Sequence, residues 1–179
     1  EIRQRLFTFE DIVKLEDRGP VLYRQERMGL DGRRFEMLKF RSMNGDQDER
    51  FHELPPDVAP GGIEGADRRT RVGRLLRRTS LDELPQLFNV LRGEMSLVGP
   101  RPERPEFVKA FERDVYRYSD RHRVKSGITG WAQIHGLRGQ TSISDRVEWD
   151  NYYIENWSLW LDLKILILTA RAVFRFAAD

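Results

Sequence analysis

The stretch RRTSLDELPQLFNVLRGEMSLVGPRPERP, residues 77–105, organises the chain. It holds adjacent carboxylates at Asp82 and Glu83, several arginines, an apolar run at helical spacing and a Gly-Pro-Arg-Pro turn. Leu84, Leu87, Phe88 and Leu91 recur at intervals of three and four, which predicts a helix running to about Arg92. Ser80 stands three residues before Glu83, the spacing of a capping box. Pro85 is comfortable only in a first turn, which moves the predicted start toward Asp82. Either start puts both acids at a helix N-terminus, where the backbone dipole favours anions. The apolar run reads as a scaffold that holds the polar groups still.

Acids in a first turn are most often plain caps, and the surroundings change that reading. Arg74, Arg77 and Arg78 precede the pair, and Arg101 follows in a turn stiffened by two prolines. A guanidinium there presents a fork to a phosphate. One carboxylate can then attack phosphorus while its neighbour holds a hard cation such as Mg²⁺. A glycosidase reading fares worse. Its two carboxylates must flank one bond at about 5–9.5 Å separation, whereas consecutive residues of a helix start point about 100° apart.

Working outward, residues 21–27 and 33–41 read as two strands joined by a Gly29-Leu30-Asp31-Gly32 hairpin turn. Residues 2–16 show loose helical spacing, ended by Gly19-Pro20. Residues 44–67, rich in Gly, Pro and acids, read as a long surface loop that could serve as a lid. His52 within it has no partner at metal-ligand spacing. Residues 71–78 predict a short basic helix with Val72, Leu75 and Leu76 facing inward. An amphipathic helix is expected over residues 103–118 through Phe107, Ala110, Phe111 and Val115, with Tyr116 and Tyr118 read as core or rim packing. The last segment, residues 147–176, combines Trp149, Tyr152, Tyr153, Trp157 and Trp160 with an aliphatic run. It suits a helix lying partly on the core and partly in a membrane interface.

Composition sets the bounds. The 179 residues suffice for a single domain, residues 1–179. Lys and Arg number 31 against 29 Asp and Glu, so distribution matters more than the net +2. Arginine concentrates over residues 68–78 and 113–123, which suits anionic partners. Cysteine is absent, which excludes disulfides, thiolate metal sites and cysteine nucleophiles. No run approaches the roughly 18 apolar residues of a membrane span. The expected fold is mixed α/β (α+β): a small, mainly antiparallel sheet wrapped by helices, with amphipathic interfacial helices.

Four blocks, KFRSM (residues 39–43), TSLDELPQL (79–87), SLVGPRP (96–102) and GITGWAQ (127–133), resemble in order the signature blocks of the bacterial sugar transferases. These are monotopic phosphoglycosyl transferases that start glycan assembly on a polyprenyl phosphate. The likeness covers residues 19–169. Through YYIENWSLWLDL (152–163) it leans toward members that prime exopolysaccharides with hexose-1-phosphate, so glucose or galactose is the expected sugar.

The resemblance implies transfer of a sugar-1-phosphate from a UDP-sugar to polyprenyl (undecaprenyl) phosphate, releasing UMP, through a covalent aspartyl intermediate. Asp82 becomes the nucleophile and Glu83 the Mg²⁺ ligand, with Asp82 beside it at the metal. Lys39, Arg77 (five residues before the aspartate), Arg101 and Arg138 become phosphate contacts, and Gln133 and Asp150 substrate contacts. His135 stands where members often have asparagine. The implied setting is peripheral, on the cytoplasmic face of the bacterial inner membrane, with a homo-oligomer compatible. Members carry a re-entrant membrane helix where residues 1–18 are charged and only amphipathic, so a truncated, solubilised or atypical member is expected. The competing class is a non-catalytic basic module gripping nucleic acid. The lack of aromatics among the arginines of residues 68–78 weighs against it.

Overall fold

A computed structural model describes residues 19–44, 55, 57–60 and 67–178. The predicted N-terminal helix, His52 and most of the proposed lid lie outside these residues. Strands β1 (Leu22–Met28) and β2 (Arg34–Phe40) form the expected hairpin, in register from Leu22 opposite Phe40 to Met28 opposite Arg34. The turn closes through Asp31 and Gly32, both left-handed. Alternation along β1 is clean, with Tyr23, Gln25 and Arg27 turned in and Leu22, Arg24 and Glu26 turned out.

Helix α1 (Arg71–Arg78) has the predicted bounds and is capped by Thr70, whose Oγ1 accepts from Gly73 N at 2.7 Å. Gly73 lies so close to the strand exit that a Cβ there would collide with the Ser42 carbonyl oxygen. The KFRSM block therefore fixes α1, and with it Arg77. Leu76 is buried, but Leu75 is 60% exposed, contrary to the expected inward face.

The capping box does not form. Ser80 is left-handed at φ 57°, its side chain caps nothing, and residues Leu81–Glu83 make a separate 3-10 turn. Helix α2 (Gln86–Leu91) starts only after Pro85. Its orientation corrects the scaffold reading. Gln86 and Asn89 are buried, while Leu84, Leu87, Phe88 and Leu91 are exposed. The cause is the open edge of β2, which needs hydrogen bonds rather than hydrocarbon. Leu38 N donates to Asn89 Oδ1 at 3.0 Å and Asn89 Nδ2 donates to Glu36 O at 2.7 Å, so one side chain continues the ladder.

Strand β3 (Ser96–Val98) pairs in parallel with β4 (Gly127–Thr129), an addition to the antiparallel hairpin. The two come very close, and a Cβ on Gly127 would collide with Gly99 N. Between them run α3 (Pro105–Asp114) and a 3-10 segment (Tyr118–Arg123). Tyr118 is in the core and Tyr116 in solvent. Then come α4 (Trp131–Ile134), α5 (Ile143–Glu155) and α6 (Leu159–Ala178).

Two apolar clusters hold the helices. One joins Ala59, Val108, Val115, Tyr118, Ile143 and Val147; the other joins Val98, Trp131, Tyr153 and Ile165. Ala59 shows that part of the predicted loop is packed, and Val58 bridges to Ser142 at the start of α5. The chain is thus a mixed helix-and-strand fold with small sheets wrapped by helices, as expected.

Candidate active site

The 3-10 turn at Leu81–Glu83 buries both acids, leaving Asp82 7% and Glu83 8% exposed. A buried carboxylate needs compensating charge, and four elements supply it. Lys39 comes from β2, Arg77 from the last turn of α1, Arg101 from the Gly-Pro-Arg-Pro turn and Arg138 from the turn after α4. All four line one open cleft with Asp82, Glu83, Ser80 and Gly139. Residues spread over about 100 positions of sequence are thereby gathered into one polar site with four cations and two carboxylates.

The two acids are treated differently. Glu83 Oε1 accepts from Lys39 Nζ at 3.0 Å and from Arg101 Nη2 at 2.6 Å, while Oε2 accepts from Arg101 Nη1 at 3.3 Å. Burial alone would raise the Glu83 pKa, but Arg101 and Lys39 hold it well below the usual carboxylate range. Asp82 accepts no hydrogen bond from the described residues. Burial, then the neighbouring Glu83 charge, raises its pKa, and Lys39, Arg77 and Arg101 oppose that rise through space. Burial lowers the Lys39 pKa, with Glu83 pulling the other way. The Glu83 carboxylate raises that of Arg101. The result is one clamped carboxylate and one unclamped, basic carboxylate in a cationic cleft. That arrangement can attack an electrophilic phosphorus whose oxygens the cations hold.

A hard divalent cation fits the donor set. The acids offer only oxygen, and Mg²⁺ is usually held by one or two carboxylates with phosphate oxygens and water completing the shell. Among the described residues no group of three or more Asp, Glu, His or Cys could form an all-protein cage. The unclamped Asp82 provides an open oxygen, whereas Glu83 becomes available only as Lys39 or Arg101 turns to another anion.

Gln133 and Asp150 do not line the cleft. Gln133 is buried, donating from Nε2 to Ile128 O at 3.4 Å. Asp150 accepts from Arg121 Nε at 2.8 Å, with both side chains 2% exposed. His135 packs between Trp131 and Trp149, with ring centroids 4.5 and 4.1 Å away, and does not line the cleft either.

A layer behind the cleft was missed in the sequence. Arg121 Nη2 donates to the Arg101 carbonyl at 2.9 Å. Arg146 Nη1 donates to Glu103 Oε1 at 2.5 Å, and its Nη2 donates to Gly139 O at 2.8 Å and Thr141 Oγ1 at 3.2 Å. The signal that could have found it is periodicity. Arg146 and Asp150 lie four apart on α5, on the same side as the core residues Ile143, Val147 and Tyr153.

A model of the family described as bacterial sugar transferase matches residues 5–176. The protein named UDP-glucose:undecaprenyl-phosphate glucose-1-phosphate transferase from Xanthomonas campestris pv. campestris is 48% identical over 162 residues, covering 88% of this chain and 32% of its own length. Its namesake from Escherichia coli (strain K12) is 47% identical over 161 residues, covering 88% of this chain and 33% of its own length. The Aeromonas hydrophila protein named UDP-N-acetylgalactosamine-undecaprenyl-phosphate N-acetylgalactosaminephosphotransferase is 44% identical over 164 residues, covering 90% of this chain and 37% of its own length. The chain thus spans about a third of the length of these relatives.

Proposed function

This chain belongs to the bacterial sugar transferase family, and from that premise we propose that it is a phosphoglycosyl transferase moving a sugar-1-phosphate from a UDP-sugar to undecaprenyl phosphate. The observation that carries the reading is the unclamped Asp82 carboxylate beside a clamped Glu83 in a cleft of four cations. Glucose leads as the sugar, because the relatives at 48% and 47% identity are named for UDP-glucose. The relative at 44% is named for N-acetylgalactosamine, so identity alone discriminates weakly.

The reaction has two displacements. An Asp82 carboxylate oxygen attacks the sugar-linked phosphorus, forming a mixed anhydride. The bond from that phosphorus to the bridging oxygen breaks, and UMP leaves with the electron pair. A phosphate oxygen of the polyprenyl acceptor then attacks the same phosphorus. The aspartyl bond breaks, and Asp82 returns as a carboxylate with polyprenyl-diphosphate-sugar as product. No proton transfer is required at either displacement, which suits a site whose His135 lies elsewhere. Arg101, Lys39, Arg77 and Arg138 hold the non-bridging oxygens. Asp82 and Glu83 are the residues that would hold Mg²⁺, which supplies charge neutralisation for the diphosphate.

The acceptor is a lipid, and the surface beside the cleft fits one. Leu84 before α2 and Leu87, Phe88 and Leu91 within it are exposed; α2 touches β3, which carries exposed Leu97, and β3 in turn touches α6, with its exposed Leu159, Trp160, Leu163 and Ile167. Exposed Arg92 at the end of α2 and exposed Lys164 and Arg171 on α6 belong to the same helices, and exposed Arg78 ends α1. Apolar side chains flanked by cations match an anionic membrane surface, here the cytoplasmic face of the bacterial inner membrane. No helix among the described residues is long and apolar enough to cross a membrane.

The deciding experiment incubates the protein with UDP-glucose labelled in the sugar phosphate, without lipid acceptor, followed by acid quench and peptide mass analysis. A sugar-phosphate adduct on the peptide containing Asp82, absent in Asp82→Asn, is expected. An adduct on Glu83 would overturn the assignment of the nucleophile. DNA binding with no UMP release from any UDP-sugar would overturn the enzyme reading. EDTA is expected to abolish UMP release and Mg²⁺ to restore it; full turnover in EDTA would remove the metal from the scheme.

A further inference from the structure

The turn carrying Arg101 has few backbone donors of its own, because Pro100, Pro102 and Pro105 lack N–H groups. Other side chains and β1 hold it. Arg121 takes the Arg101 carbonyl at 2.9 Å, Arg27 Nη1 takes the Pro102 carbonyl at 3.4 Å, and Met28 N takes the Glu103 carbonyl at 3.0 Å. The Glu103 side chain is then gripped by Arg146.

The turn carrying Arg138 is looser. Arg138 lies between Gly136 and Gly139, both left-handed, and a Cβ on either would touch nothing within 4 Å. Backbone bonds anchor its ends, from Leu137 N to Ala132 O at 3.1 Å and from Ala59 N to Thr141 O at 2.8 Å. The side chain that ties it between them is again Arg146, through the Gly139 carbonyl and the Thr141 hydroxyl. One guanidinium therefore joins the turn bearing Arg101 to the turn bearing Arg138.

Its burial is costly. Arg146 and Glu103 are 2% and 4% exposed, and Arg146 Nε has no hydrogen-bond partner among the described residues. A buried ion pair is often no more stabilising than apolar residues of the same volume, and an unpaired buried N–H adds a further penalty. Stability alone does not account for an arginine here, whereas geometry does. Lysine would not replace it, because an ammonium on a flexible stem lacks the planar fork that reaches carboxylate and carbonyl together.

We infer that Arg146 is a positioning residue: clamped on Glu103 and hooked to Gly139, it sets Arg138 against Arg101 across the cleft so that both face one diphosphate. Asp150, a helical turn further along α5, acts in parallel by aiming Arg121 at the Arg101 carbonyl. The inference rests on the proposed diphosphate donor only for its ligand; the restraint on residues 137–141 stands without it.

The test has two independent readouts. Hydrogen exchange on the ligand-free protein should show faster exchange over residues 137–141 in Arg146→Lys, with α6 unchanged. Calorimetric titration with UDP in Mg²⁺ should show about 10-fold weaker binding for Arg146→Lys. Arg138→Ala/Arg146→Lys should bind no more weakly than Arg138→Ala alone, whereas Lys39→Ala/Arg146→Lys should show both losses. Unchanged exchange, wild-type affinity, or a loss that adds equally to Arg138→Ala and Lys39→Ala would overturn the inference. If wild type binds no UDP, the proposed function fails and the exchange result still decides the role of Arg146. If Arg146→Lys does not fold, Glu103→Gln, which weakens the same clamp, is read in both assays against the same criteria.

Discussion

Asp82 and Glu83 are consecutive, yet their carboxyls answer to different surroundings. Glu83 is held by Arg101 and Lys39, while Asp82 is buried without a hydrogen bond from the described residues and its pKa is raised. A nucleophile must be ionised, so kcat/KM should fall as pH drops through the Asp82 pKa, above the ordinary aspartate value of 3.8. Arg77 is one of the cations opposing that rise. Removing it in Arg77→Gln should push the pKa further up and move the acid limb of the kcat/KM profile to higher pH. A limb that stays in place would mean that another group carries it. Asp82→Asn should lose at least about 10³-fold in turnover, roughly 4 kcal/mol, with its thermal unfolding little changed. At this scale the sequence was informative for the groups that line the cleft. Lys39, Arg77, Asp82, Glu83, Arg101 and Arg138 sit in or near short motif blocks, and all six converge. Gln133 ends the 127–133 block and Asp150 stands just before the 152–163 stretch, yet both face elsewhere, since position in a sequence does not record which way a side chain points. Arg121 and Arg146 escaped because each acts through a backbone carbonyl of another turn.

Among the elements, α2 shows what periodicity reveals and what it leaves open. Its spacing announced an apolar stripe, and a stripe exists. Which side meets protein was decided by the neighbour: the edge of β2 takes Asn89, and the leucines turn away. Asn89→Leu should therefore destabilise the fold despite adding apolar surface, because Leu38 N and Glu36 O lose their partner; about 2 kcal/mol or more is expected from chemical denaturation. A neutral result would mean that water replaces the side chain. The opposite outcome is expected on the outer side. Replacing Leu84, Phe88 and Leu91 together by Ser should leave the denaturation midpoint close to wild type and weaken co-flotation with anionic vesicles. Equal flotation would assign lipid binding to α6 alone. The hairpin was legible because strict alternation and a Gly-Leu-Asp-Gly turn are local properties. The 3-10 turn was not, because left-handed Ser80 mimics a capping residue in sequence while occupying another backbone region.

For the molecule as a whole, the short parallel pair β3–β4 was the least readable element pairing. Each strand has three residues, too few to show a period, and the pairing joins positions about 30 apart. Only Gly99 and Gly127 hinted at it, as places where backbones approach too closely for a side chain. The fold class was nevertheless accessible, since it follows from the hairpin and the helices together. The outward leucines of α2 and the tryptophan-bearing side of α6 also govern how the protein behaves on the bench. With a net charge of only +2 over 179 residues, repulsion between copies is weak, and large apolar patches then drive self-association in plain buffer. Size-exclusion chromatography should show the chain eluting well ahead of its 21.2 kDa mass without detergent and moving toward the monomer position when a mild detergent is added. The same surface that makes the protein awkward to concentrate would then serve as its own assay for amphiphile binding.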